Sequence, residues 1–151
     1  MVREQKGFAM NREVMLSISG LHAGGEADNG SVETMAEAEY FYKNGSHYII
    51  YEEKAEGFEK TSKCRIKFKE NILELTRQGL LETHMIFEKD KKHMTMYQTP
   101  YGQMLLEVDT RKLLIMETDN SIRVLVEYIL EADGAYLSDS KIEIVIRNKA
   151  K

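Results

Sequence analysis

Residues 40–54 read YFYKNGSHYIIYEEK, two runs of aromatic and β-branched side chains on either side of Asn44-Gly45. Asn-Gly is the strongest two-residue hairpin signal, because a type I′ turn needs positive φ at both central positions and matches the twist of its strands. That turn sets a register in which Tyr42 faces His47, Tyr40 faces Ile49 and Ala38 faces Tyr51. Strand alternation then divides the hairpin into two faces, one with Tyr40, His47, Ile49 and Tyr51, the other with Phe41, Tyr48 and Ile50. Both faces mix apolar and polar groups, so the hairpin alone leaves open which one turns inward.

The same alternation runs through the chain on both sides of this hairpin. Before it, Val14, Leu16 and Ile18 share a face of a strand over 13–21, and the glycine-rich HAGGEADNG at 22–30 reads as a flexible loop. After the loop AEGFEK at 55–60, Cys64, Ile66 and Phe68 alternate with Lys63, Arg65 and Lys67, a solvent face of cations. Turns at Glu70-Asn71, Lys89 to Lys92, Pro100 to Gly102, Asp119-Asn120 and Asp133-Gly134 separate further short strands. These include 72–77, 81–89, 93–98, 103–108, 113–118, 122–130 and 135–147. Strands at this spacing, without a helical period, indicate an all-β sandwich or barrel, and tight reversals favour a meander whose closure removes exposed edges.

Composition narrows the function. The chain has 151 residues, a net charge of −4 and a pI near 5.6, so it has no excess of cations to neutralise a phosphate backbone, and nucleic acid is not expected as a partner. One cysteine, Cys64, excludes an intrachain disulfide framework and suits a reducing compartment. No leader-like apolar stretch of about 7–15 residues opens the sequence, and no run approaches the about 18 apolar residues of a membrane helix. The expectation is a cytoplasmic protein with a disordered or frayed segment at 1–11 and one β-barrel domain over 12–148. Five methionines within strands, Met85, Met94, Met96, Met104 and Met116, read as flexible core fillers. His22, His47, His84 and His93 lack metal-ligand spacing, and neither metal nor cofactor is expected.

GSHYIIYEE at 45–53, TRQG at 76–79, MIF at 85–87, YQTPYG at 97–102 and VEYIL at 126–130 together resemble the YwiB-like family of bacterial proteins, a domain of unknown function. The resemblance covers roughly 13–147 and implies an all-β fold, a single antiparallel, mostly up-and-down, calycin-like or lipocalin-like barrel of about 8–10 strands. Where that family tends to carry a glycine late in the strand before the Asn-Gly turn, this chain has Ala38. The resemblance implies a fold and no activity.

Arg77 is the residue that demands an explanation. It is in phase with Leu73 and Leu75, and a charge on an apolar face has to be paired if it is buried. Glu53 is the candidate partner, with Tyr51 and Tyr97 positioned to complete the hydrogen bonding and Thr99 and Tyr101 nearby in the YQTPYG motif. Two readings follow. The set anchors the anionic end of a small, partly apolar ligand in a non-enzymatic binding barrel, or it is an internal plug of a homodimeric interaction module that uses Phe41, Tyr48 and Ile50. An enzyme with Glu53 as acid or base is the third reading.

Overall fold

The Asn44-Gly45 turn forms as its chemistry requires, with φ of +53° and +81°, and the strands beside it pair with Tyr42 opposite His47 and Tyr40 opposite Ile49. The ladder stops at Glu39 and Ile50, so the expected pairing of Ala38 with Tyr51 is not made. Beyond that point Ala38 lies opposite Val14 and Tyr51 opposite Cys64.

The computed structural model describes residues 12–20, 33–54, 61–79, 82–99 and 102–149. The expected frayed segment 1–11, the loops at 22–30 and 55–60 and the turn at Pro100 lie outside these. Within them are β1 (Glu13–Ser19), β2 (Glu33–Lys43), β3 (Ser46–Lys54), β4 (Thr61–Lys69), β5 (Ile72–Gln78), β6 (Thr83–Glu88), β7 (Lys91–Thr99), β8 (Gly102–Glu117), β9 (Ser121–Ala132) and β10 (Ala135–Asn148). All pair antiparallel in one sheet of order β6-β5-β4-β3-β2-β1-β10-β9-β8-β7, which curls until it is nearly closed into a barrel.

Two of the expected strands, 103–108 and 113–118, are one. β8 runs through both, and its register against β9 shifts between Thr110 and Lys112. The extra residue of this bulge moves the inward phase from Leu106, Val108 and Thr110 to Leu113, Ile115 and Glu117, which in sequence looks like a break. The methionine expectation also changes with phase. Met85 is buried and Met104 packs on the core, but Met94, Met96 and Met116 lie on the outer face and are exposed.

The interior of β3 to β6 is built in rungs, because residues opposite one another in successive ladders share a face. His47, Phe68, Leu73 and Phe87 form one rung, Ile49, Ile66, Leu75 and Met85 the next, and Tyr51, Cys64, Arg77 and Thr83 the third. The opposite wall supplies aliphatic rungs such as Leu16 with Ile146 and Ile122, and Ile18 with Ile144 and Val124. At about 25 cal/mol per Å² of apolar surface removed from water, this continuous lining is the main stabilising term.

The barrel is joined across β1 and β10, where Gly20 follows β1 at φ +92°. A Cβ there would stand 2.0 Å from the backbone oxygen of Lys141. Gly20→Ala should therefore cost roughly 2–4 kcal/mol, read as a lower urea midpoint. Gly45→Ala, whose Cβ meets nothing within 4 Å, should lose only about 1 kcal/mol for its left-handed φ.

Candidate functional site

The third rung is polar for most of its length. Alternation along β5 turns Arg77 inward after Leu73 and Leu75, and its side chain is almost wholly buried. Its Nε lies 2.9 Å from Oε1 of Glu53, which projects from β3 two strands away. The contact is short but off the N–H axis, so it acts as an ion pair and not as an aligned hydrogen bond. Cys64, on the strand between them, directs its thiol at the same Glu53 oxygen at 3.8 Å.

Burial governs the protonation of this rung. It pushes the Tyr51 hydroxyl far above the ordinary tyrosine range, with Cys64 and Glu53 adding to the rise, and it also raises the Cys64 thiol. Both groups are therefore neutral donors at physiological pH. A thiol held in this form is a poor nucleophile. Glu53 differs in keeping its side chain one-third exposed. Thr83 ends the rung on β6, directly opposite Arg77. It is 5% exposed, and its Oγ1 has no hydrogen-bond partner among the described residues.

β6 and β7 are the two edges of the sheet, and the turn Lys89-Asp90 joins them. The amide of Lys89 donates to the Asn71 carbonyl and that of Asp90 to the Thr110 carbonyl, so each half of the turn is tied to a different neighbour. Side chains bridge the seam where no ladder runs. Thr95 donates to the His84 carbonyl, and Nε2 of His93 meets Glu88 at 2.8 Å, holding that carboxyl below its usual range. Outside the seam a groove of about 470 Å³ reaches Arg77 and Thr83, its walls including Thr76, Gln78, Thr95 and Met96.

The sequence reading missed a second polar cluster at the opposite end of the barrel. His47, 5% exposed, stacks on Phe68 at 4.6 Å and meets Tyr42 edge-on at 4.8 Å. Nδ1 of His47 is 2.8 Å from the Tyr40 hydroxyl, and Nε2 is 3.3 Å from Glu117 on β8. Burial, reinforced by Glu117, raises Tyr40 so that its hydroxyl keeps its proton. In the Nε2–H tautomer Tyr40 donates to Nδ1 and His47 donates to Glu117. The Glu117 contact spans strands that are not neighbours in the sheet, a pairing that period-2 reasoning does not reach.

Of the residues expected at the site, Tyr51, Glu53 and Arg77 come together. The backbones of Tyr97 and Thr99 lie in β7, opposite Met104 and Gly102, and Tyr101 lies outside the described residues. The proposed aromatic interaction face is partly covered by its own cations, with Arg12 4.4 Å over Phe41 and Lys67 5.5 Å over Tyr48. Among the described residues no cluster of three or more His, Cys, Asp or Glu is arranged to hold a metal ion, and no helix is long and apolar enough to cross a membrane.

A nearly closed ten-stranded antiparallel sheet with a buried Arg–Glu pair at one end defines a β-barrel domain. The chain belongs to the family described as Domain of unknown function (DUF1934), which matches residues 17–144. A solved structure similar to it is that of the ywiB protein from Bacillus subtilis, with a TM-score of 0.74 over 92% of this chain and 93% of that one. At 15% identity the likeness is one of fold. No curated protein matches the chain.

Three buried tyrosines set the alkaline limit of this fold. Burial raises Tyr40 and Tyr51, and pushes Tyr128 up to about 12. Each is protonated when folded and ionises near its ordinary pKa when unfolded, so its contribution is complete below about pH 10 and falls as pH rises further. Stability should drop by about 1.4 kcal/mol per pH unit for each of them. In a titration followed at 295 nm and by circular dichroism, their ionisation should coincide with unfolding.

Proposed function

We propose that this protein is a non-enzymatic binding barrel of the cytoplasm, taking a small, partly apolar, anionic ligand. Arg77 is the anchor, and Tyr51 and Glu53 set its charge and position. The observation that carries this reading is an arginine only 6% exposed whose compensating carboxylate is left one-third exposed, next to an open groove of which Arg77 is one wall. An ion pair serving only to fill the barrel gains nothing from a groove at its side, whereas an anion arriving there meets a preorganised donor in a poorly solvated setting.

The neutral Tyr51 and Cys64 argue for binding over catalysis, since neither supplies a nucleophile or a base near neutral pH. The single buried free cysteine, Cys64, agrees with a reducing compartment.

The test is native mass spectrometry of the protein isolated from its own host, followed by denaturation to release and identify what it carries. The wild type should hold a stoichiometric small molecule. Arg77→Leu should fold with a loss of about 2 kcal/mol, because the half-open Glu53 can rehydrate, and should carry no adduct. Wild-type protein that is free of any small molecule, or an Arg77→Leu variant that retains it, would remove Arg77 as the anchor.

A further inference from the structure

We propose that the groove at the seam between β6 and β7 is the binding site, and that the molecule it takes is a polar monocarboxylate bearing hydroxyl or amide groups. This rests on the reading of Arg77 as an anion anchor and adds to it the second anchoring group, the place and the ligand class. The second group is the Thr83 hydroxyl. It stands directly opposite Arg77 in the ladder, lines the groove, and is 95% buried without a hydrogen-bond partner among the described residues. An unpaired buried hydroxyl is costly in a folded protein, and a ligand oxygen in the groove would satisfy it.

The charge inventory selects the anion. Arg65 and Arg77 bring two positive charges to the groove and Glu74 and Glu82 two negative ones, and Arg77 already shares its charge with Glu53. A phosphate dianion would meet three carboxylates against two guanidiniums, counting Glu53, so a singly charged group is favoured. One guanidinium and one hydroxyl match the two oxygens of a carboxylate. The rest of the groove selects the body of the ligand. Thr76, Gln78 and Thr95 present polar groups, and Met96 is its apolar wall. A long hydrocarbon would desolvate Thr76 and Gln78 with nothing to pair them, whereas hydroxyls or amides would pair with them.

The experiment uses the full chain with four probes, sodium gluconate, N-acetylglycine, decanoate and inorganic phosphate, by calorimetric titration and thermal unfolding. Gluconate or N-acetylglycine should bind and raise the melting temperature, and decanoate and phosphate should not. Thr83→Val, close in shape to threonine, should melt no lower than wild type without ligand yet bind the polar carboxylate at least about tenfold more weakly. Thr83→Ser should restore the affinity. Unchanged affinity in Thr83→Val overturns the proposal, as does binding of decanoate or phosphate in preference to both polar carboxylates, or binding of none of the four. If a native adduct is lost in Arg77→Leu but kept in Thr83→Val, the anion anchor stands and the seam assignment falls.

Discussion

A curled antiparallel sheet has two edges whose backbone groups must be paired, covered or left to water. Here the edges are β6 and β7, neighbours in sequence joined by two residues, while β1 and β10 supply the ladder that closes the far side. The turn amides are committed to Asn71 and Thr110, so β6 stays with β5 and β7 stays with β8. Thr95 and His93 bridge part of the gap with side chains, a replacement for a ladder that is polar and open to solvent. The location of the candidate site follows from this defect. The polar rung that begins at Tyr51 ends on β6, so its last two members are the ones nearest the opening.

The lining is ordered along the barrel. Aliphatic and aromatic rungs fill the middle, and each end has one polar cluster built around a buried titratable side chain. Arg77 needs a carboxylate because an uncompensated charge there would cost several kcal/mol. At His47 each of the two ring nitrogens is met by an oxygen. Pairs of this kind contribute modestly to stability against an apolar filling, but they are directional. Glu53 and Glu117 tie β3 to β5 and to β8, which fixes how the sheet curls in a way that interchangeable isoleucines do not.

Much of this was legible in the chain because alternation is a local property. The Asn44-Gly45 register, the inward phase of Arg77 and the choice of Glu53 as its partner all rest on side chains a few positions from a recognisable turn. What was hidden depends on a phase change or on closure. The bulge at Thr110 reverses which residues of β8 point inward, so one strand reads as two and Met116 reads as core. The separation of Ala38 from Tyr51 depends on where the ladder between β2 and β3 ends, which the turn does not set. His47 and Glu117 meet across the bore, and Thr83 gains its interest from having no hydrogen-bond partner among the described residues, which no sequence pattern reports.

The ladder between β1 and β10 has a consequence for how the chain reaches this state. The hairpins from β2 to β6 and from β7 to β10 join residues close in sequence, so they can form early and independently. Val14 with Asn148 and Ile18 with Ile144 join opposite ends of the described chain, and that contact carries nearly the largest loop-closure entropy the fold can impose. Barrel closure is therefore the late, slow step of folding, and until it occurs both β1 and β10 present free edges to other copies. A cell that makes this protein quickly has to get each chain past that interval before two of them meet.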